Sequence, residues 1–155
     1  MALPQEVRSS FRALVESGNI RYITCPAAAA GTQMVSDNAA AAWAWAAAVQ
    51  IVAAAPADPC WLCGLTIHTA VVAHHSGDIA IVAGGVDIAM FHYRALFTGA
   101  TAVLAAMPMG ALAMYLPHPV RIAGAPVLAA RLRKDSAANL DGVTGKLTLA
   151  TAIGT

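Results

Sequence analysis

The sequence predicts an all-β protein: an antiparallel β-sandwich, jelly-roll-like, with a short N-terminal helix and arm. From residue 43 to the C-terminus, apolar residues alternate with other residues in about seven or eight short segments. Gly, Pro, Asp, Asn and Ser clusters separate these segments at intervals of roughly 8–15 residues. No helical pattern of ten or more residues lies between them, which argues against an alternating β/α fold.

The N-terminal part is predicted to be a helix followed by an arm. Residues 4–17 place apolar side chains on one helical stripe, with Pro4 suited to the first turn and Gly18 suited to end the helix. The stripe consists of Val7, Phe11, Leu14 and Val15. Residues 19–42 contain a brief strand-like stretch, IRYITC, within low-complexity sequence. The chain is therefore divided into residues 1–42, helix and extended arm, and residues 43–155, the sandwich domain.

The first predicted strands of the sandwich show a clear period of two. Val49 and Ile51 alternate with Gln50, and the turn PADP follows at 56–59. The next strand, 60–68, has an apolar face that we expect to point into the core. That face consists of Trp61, Cys63, Leu65 and Ile67.

The strands that follow are bounded by clear turn signals. HHSGD precedes a strand in which Ile79 and Ile81 alternate with Asp78 and Ala80. GGVD at 84–87 predicts a second turn, followed by a longer strand at 88–97.

The last strands complete the sandwich. Residues 113–116 and 119–124, separated by prolines, predict one bent strand or two short ones. The stretch 127–133 places Leu128, Ala130 and Leu132 inward and Arg131 and Arg133 outward. The final strand alternates Val143, Leu147 and Leu149 with polar residues.

Charge and composition restrict the partners. The net charge is +1 and only 11% of the residues are charged, so the chain has no basic excess to hold a phosphate backbone, and we expect no nucleic-acid partner. The chain is 59% hydrophobic but 6% aromatic, because much of its apolar content is alanine. A chain of this composition is expected to bury part of its surface against other subunits.

A membrane role is disfavoured. Residues 39–57 and 95–120 lack charged side chains, but the first stretch is mostly alanine and the second is interrupted by glycine and proline. The start, MALPQEVRSS, has an early Glu6 and no apolar core of a signal peptide. We expect the protein to be made in a cytoplasm and to have no membrane partner.

The cysteine pair in PCWLCGLTIH has the spacing of redox dithiols and of half a zinc site. In a strand, Cys60 and Cys63 point to opposite faces, so they can neither form an easy disulfide nor chelate one metal ion together. Strand-forming residues follow the pair, whereas a thioredoxin-like motif opens a helix. The structural interpretation is favoured, with Cys63 as a small core residue; metal and redox roles remain alternatives.

The other chemistry-bearing residues also have a plain structural interpretation. His74 and His75 lie in a predicted turn, His92 on an exposed strand face and His118 in a proline-flanked bend. No GxSxG, GxGxxG or paired-carboxylate spacing occurs. We predict that the protein is not an enzyme and has no catalytic, cofactor-binding or metal-binding residues.

Two surface features each allow a functional interpretation beside the structural one. RLRKD at 131–135 is predicted to be an outward strand face that runs into a turn; alternatively it forms ion pairs between subunits. Trp43 and Trp45 are predicted to pack in the core or at an edge and, with Trp61, to anchor the sandwich. Alternatively they form an aromatic platform for a sugar or a neighbouring chain.

The layout from residue 43 onward resembles that of small β-sandwich virion proteins of tailed bacteriophages. The resemblance rests on the tryptophan-led AWAWAAAVQIV, on PADPCWLCG, on LPHPVRI and on RLRKDS, and covers roughly 70% of the chain. It implies a capsid decoration or similar accessory protein. Residues 1–42 are not explained by it.

The resemblance also implies the partners and the location. We expect contacts with the major capsid protein or other virion subunits, and a homo-oligomer, with a trimer favoured. The location would be the virion, assembled in the host cytoplasm. The rival functions are a carbohydrate- or receptor-binding fibre or tail module, a tail or connector component, and a small enzyme or metal protein.

Overall fold

The structure is a computed structural model that describes residues 11–27, 32–34, 42–56, 59–69, 76–94, 112–135 and 143–153. Within these ranges, residues 11–16 are helical and nine strands follow. The strands are β1 (Ile20–Cys25), β2 (Thr32–Met34), β3 (Val49–Val52), β4 (Cys60–Thr69), β5 (Ser76–Ala83), β6 (Val86–Arg94), β7 (Leu112–Ile122), β8 (Leu128–Lys134) and β9 (Val143–Ala152). The prediction of an all-β sandwich is confirmed.

The strands pair in a nested order. β5 pairs with β6, β4 with β7 and β3 with β8, while β1 and β2 pair with successive parts of β9. All of these pairs are antiparallel. The chain therefore resembles one long hairpin that turns at Gly84 and Gly85, both of which have positive φ as such a tight turn requires.

Two further pairings convert the nested hairpin into two sheets. β4 also pairs with β9, and β5 also pairs with β8. The first sheet has the order β1-β9-β4-β7, with β2 beside the other end of β9, and the second has the order β3-β8-β5-β6. Because β1 and β2 share one edge of β9, each sheet has four positions.

An apolar core fills the space between the sheets. The first sheet contributes Cys60, Leu62, Leu65, Ile67, Ile122, Leu147 and Leu149, and the second contributes Ile51, Ile79, Ile81, Phe91, Tyr93, Leu128, Ala130 and Leu132. Most of these side chains are fully buried. The inward positions predicted for 127–133 are confirmed, and Arg131 and Arg133 lie on the opposite face.

The predicted faces of β4 were wrong from Cys60 to Cys63, and Cys63 is not a residue of the core between the sheets. The register of β4 shifts between Leu62 and Gly64 against both of its neighbours, so a bulge lies at Cys63. Cys60 and Leu62 point into the core between the sheets, whereas Trp61 and Cys63 point to the outer face. An uninterrupted period of two would place Trp61 and Cys63 on the same face as Leu65. The bulge places them on the opposite face.

The helix packs on the outer face of the first sheet. Phe11 and Leu14 contact a small second core formed by Trp61, Cys63 and Ala150. The rings of Phe11 and Trp61 meet edge to face, with centroids 5.5 Å apart. Part of the apolar stripe predicted for residues 4–17 is thus used within the same chain; residues 4–10 lie outside the described part. No helix in that part has the length and apolar character needed to cross a bilayer.

The sandwich begins before residue 43. β1 pairs with β9 from Ile20 to Cys25, so the stretch IRYITC is an edge strand and not part of an arm. The boundary between 1–42 and 43–155 therefore does not coincide with the start of the sheets. Residues 42–48, predicted to begin the first strand, carry no regular strand structure.

β7 is one strand, and its prolines interrupt its pairing with β4. Residues Leu112 to Tyr115 and Val120 to Ile122 pair with β4, whereas 116–119 do not. Pro117 and Pro119 have no N–H to donate, and β7 lies at the edge of its sheet, where prolines are tolerated. Of the predicted strand 88–97, residues 95–97 lie outside the described part.

We predict that Gly64→Ala destabilises the protein because the backbone of β7 leaves no room for a side chain. An added Cβ would lie 2.5 Å from the carbonyl oxygen of Met114 and 2.9 Å from the ring of Tyr115. We expect the free energy of unfolding, measured with urea, to fall by about 2–3 kcal/mol.

Gly124→Ala is the matched control. Its added Cβ meets nothing within 4 Å, but its φ is +76°, so we expect a loss of about 1 kcal/mol from backbone strain alone. Equal losses in the two variants would contradict the close approach of β4 and β7.

Candidate functional site

A row of charged side chains crosses the outer face of the second sheet. Arg133 on β8 lies opposite Asp78 on β5, and Asp78 lies opposite His92 on β6. Residues directly opposite each other on one face of antiparallel strands have Cβ atoms about 5 Å apart. The sheet therefore places a carboxylate between two basic groups.

Both carboxylate oxygens of Asp78 are engaged. His92 Nδ1 lies 2.5 Å from Oδ1, and Arg133 donates to Oδ2 from Nε at 2.7 Å. The side chain of Asp78 is only 9% exposed. Burial acts to raise the pKa of Asp78, but the hydrogen bonds and charges of His92 and Arg133 prevail and hold it below its ordinary value.

A second ion pair and two tryptophans extend this row. Arg131 on β8 forms a salt bridge with Asp87 on β6, across the intervening strand β5. The guanidinium carbons of Arg131 and Arg133 lie 4.7 Å and 4.6 Å from the ring centroid of Trp45. Trp45 therefore packs against both arginines by cation–π contact.

Trp43 is held in a strained conformation beside these arginines. Its φ is +66°, a region that side chains other than glycine rarely adopt. Its N–H donates to the carbonyl of Lys134 at 2.7 Å, and the N–H of Ala46 donates to the carbonyl of Leu132 at 2.9 Å. These bonds hold residues 42–48 along β8, beyond the part of β8 that pairs with β3, and the side chain of Trp43 is half exposed.

An open recess of about 560 Å³ lies next to Trp43. Ser76, Asp78, His92, Arg94 and Asp135 line it together with the ring of Trp43. Asp135 and Ser76 hold each other, because the N–H of each donates to an oxygen of the other at 3.0 Å. The arrangement can accept and donate hydrogen bonds beside an aromatic surface.

The predicted roles of Trp43 and Trp45 need correction. Neither contributes to the core between the sheets, and both lie over Arg133 on the outer face. Trp61 is buried, but under the helix and outside the main core. Of the three tryptophans predicted to anchor the sandwich, none lies in the core between the sheets, and Trp43 and Trp45 lie in the segment along β8.

The RLRKD segment is partly as predicted. Arg131 and Arg133 face outward, but they pair with Asp87 and Asp78 of the same chain. Lys134 is 2% exposed, so it does not belong to the outward face. Its position two residues after Leu132 places it on the inward side of β8.

The cysteines are far from a reactive arrangement. The side chains of Cys60 and Cys63 lie on opposite faces of β4, as predicted, and none of the three cysteines is in a disulfide. Burial raises the pKa of Cys63 to about 11, and burial also raises the pKa of Cys25. The thiol of Cys63 is therefore protonated at neutral pH and is a poor nucleophile.

The histidines are distributed over separate places. The side chain of His92 is 73% exposed, which confirms the predicted exposed strand face. His118 is exposed on β7. His74 and His75 lie outside the described residues. Within the ranges that the structure describes, no three His, Cys, Asp or Glu side chains converge as metal ligands would.

Comparison of the chain with protein-family models, with curated proteins and with solved structures finds no match.

Sequence reasoning did not identify Asp78 as the centre of the site. The available signal was an aspartate at an outward position of the otherwise apolar stretch DIAIVA, together with the two outward arginines of RLR. A carboxylate on a largely apolar strand needs a basic partner, and these arginines supply it.

We predict that Asp78→Asn costs more stability than Asp87→Asn. Asp78 is nearly buried with two partners, so we expect a loss of about 2 kcal/mol at pH 7. The side chain of Asp87 is 41% exposed and pairs with Arg131, so we expect a loss below about 1 kcal/mol. Urea unfolding of both variants measures the difference.

The difference in the free energy of unfolding between wild type and Asp78→Asn should depend on pH. The folded-state pKa of Asp78 is lowered, so its ionised form stabilises the protein above about pH 4. This contribution is lost as the pH falls through the lowered pKa. Unfolding curves at several values from pH 7 to 2 should converge at the acid end; a constant gap would contradict the charged network.

Proposed function

We propose that this protein is a structural virion protein that decorates or stabilises a phage-like capsid, and that its sandwich is a jelly roll. In this proposal the protein acts through contacts with other subunits. Its partners are the major capsid protein, or other virion subunits, and further copies of itself. A trimer is the favoured homo-oligomer.

The observation that carries the proposal is the nested strand order. A jelly roll has eight strand positions in two sheets, formed by wrapping one long hairpin into two Greek keys. With β1 and β2 counted as one position, the pairings β1/β2 with β9, β3 with β8, β4 with β7 and β5 with β6 supply that hairpin. Viral capsid domains are among the proteins that use this architecture.

The chemistry of the outer-face site agrees with a structural role. Both oxygens of Asp78 are held by His92 and Arg133, and Arg131 is paired with Asp87. A general acid or base needs an available proton position and a pKa near the working pH. Asp78 instead has a lowered pKa and acts as a fixed link between three strands.

The edge formed by β6 and β7 is the favoured contact surface. The two strands end their respective sheets and contact each other. Of the nine large apolar side chains that are exposed in the described part of the chain, four lie on these strands: Val86, Met90, Leu112 and Tyr115. Unpaired edges with apolar side chains are sites where another chain adds contacts.

We predict that the purified protein is an oligomer, with three times the chain mass of 15.8 kDa as the favoured value. Val86→Glu, at a side chain that is 65% exposed on β6, should lower the mass measured by light scattering. Val15→Glu is the matched control, because Val15 is 43% exposed on the helix, and it should leave the mass unchanged.

The particle itself gives the direct test of the function. Particles from a lysate of the source are separated on a density gradient, and the protein is detected with an antibody. The proposal expects the protein to sediment with the particles, and Val86→Glu to reduce this while Val15→Glu does not. A monomer that stays at the top of the gradient would overturn it.

A carbohydrate-binding fibre or tail module is the second candidate. The observation in its favour is the recess in which the half-exposed ring of Trp43 stands beside Asp78 and Asp135. Aromatic faces with nearby carboxylates suit sugar rings, and lectins also use jelly rolls. A monomer that binds glycans, and loses this binding in Trp43→Ala, would favour this candidate over the first.

A further inference from the structure

The recess beside Trp43 has two walls that stand on different strands. On the β8 side, the N–H of Trp43 donates to the carbonyl of Lys134, and its ring lies 5.9 Å from the guanidinium carbon of Arg133. On the β6 side, His92 and Arg94 are two residues apart and both exposed, so they share the outer face. Because β5 lies between β8 and β6, the walls are separated by two strand spacings, roughly 10 Å.

The floor between the walls is formed by β5, where a small residue keeps it low. Ser76 is the cross-strand neighbour of Arg94, and it shares the outer face with Asp78. The N–H of Ser76 donates to a carboxylate oxygen of Asp135, which also borders the recess. The volume of about 560 Å³ is within the range of small-molecule sites.

The charged groups of the recess differ in what they still have to bond. Both oxygens of Asp78 are already engaged, and one oxygen of Asp135 accepts from a backbone N–H. Arg94, in contrast, is exposed, and no carboxylate in the part of the chain that the structure describes pairs with it. The β6 wall therefore favours an anionic group, and a carboxylate matches the fork of a guanidinium.

His92 offers a second polar contact on the same wall. Its Nδ1 lies 2.5 Å from Oδ1 of Asp78, and the lowered pKa of Asp78 makes its carboxylate the acceptor, so Nδ1 carries the proton. In the neutral ring, Nε2 is then an acceptor for a hydroxyl group. The side chain of His92 is 73% exposed, and Nε2 lies on the side of the ring away from the bonded Nδ1.

Trp43 supplies the aromatic surface of the opposite wall, and its backbone is strained in doing so. Its φ is +66°, and the residue is 48% exposed. Backbone strain of this kind clusters at binding and active sites, where the surrounding contacts hold the residue in place. A half-exposed indole beside the carboxylate of Asp135 suits the apolar face and the hydroxyl groups of a sugar ring.

We propose that this recess binds an acidic sugar, a uronic acid, with its ring on Trp43, its carboxylate at Arg94 and a hydroxyl group at His92 Nε2. The inference rests on the second candidate function, the carbohydrate-binding module, and names its class of sugar. A neutral sugar has no charge to offer Arg94, and an amino sugar brings a second positive charge to the same wall.

Three methyl glycosides with the same ring test the ligand chemistry, in the glucose and the galactose series. The uronide carries a carboxylate, the neutral glycoside a hydroxymethyl group and the amino glycoside an ammonium group at the same carbon. NMR titration of the full chain should give a Kd on the order of 1 mM for a uronide, and binding at least about fivefold weaker for its neutral and amino counterparts.

The outcomes separate this inference from the functions on which it rests. Equal affinity for the uronides and the neutral glycosides would overturn the acidic-sugar inference and support a carbohydrate-binding module of another specificity. No binding of either uronide would overturn the inference as well. Neither result bears on the virion role, which is decided by the mass of the protein and by its sedimentation with particles.

Two arginine variants test the place of binding. Arg94→Gln should weaken the uronide at least about fivefold and remove its advantage over the neutral glycoside, because the charge partner is lost. Arg21→Gln removes the same charge from an exposed arginine of β1 that does not line the recess, and it should bind the uronide like wild type. Wild-type affinity in Arg94→Gln would contradict the site.

The indole signals give an independent readout at the aromatic wall. The protein has three tryptophans, so its nitrogen–proton NMR spectrum has three indole signals. Trp43→Gly identifies the signal of Trp43 by its loss, and glycine adopts a positive φ without strain, so the fold should persist. The uronide should shift the Trp43 signal in wild type and should not bind Trp43→Gly. An unchanged Trp43 signal at saturation, or wild-type affinity in folded Trp43→Gly, would overturn the proposed stacking.

Discussion

The bulge at Cys63 in β4 is the constraint on which much of the structure depends. β4 lies between β9 and β7 and pairs with both, so its register sets the relation of three strands. With the extra residue at Cys63, the strand buries Leu62 and Leu65 in the same core although they are three positions apart. One strand thereby supports the core between the sheets and, through Trp61, the packing of the helix.

The two outer faces of the sandwich are stabilised in different ways. The first sheet is covered by apolar contacts, where Phe11 meets Trp61. The second sheet has a charged row whose central carboxylate, Asp78, is almost buried by its partners. Both coverings come from segments outside the regular strands, the helix in one case and residues 42–48 in the other. Fixed surfaces of this kind would suit the proposed function, because a surface that must be ordered on binding loses affinity.

The charged row leaves little available to a partner. In the row, the aspartates and arginines satisfy each other, which leaves the ring of Trp43 as its main exposed aromatic surface. On the other outer face, the indole nitrogen of Trp61 is buried and has no hydrogen-bond partner within the described part of the chain.

The sequence by itself determined the class of fold and most of the strands, because period-two alternation and turn residues are local signals. It also determined that Arg131 and Arg133 face away from the core. Only the tertiary structure decided that Trp61 leaves the main core, since a bulge depends on pairing with two other strands. It also decided that Asp78 joins Arg133 and His92: these residues are distant in sequence, and only the register of β5 between β8 and β6 brings them together.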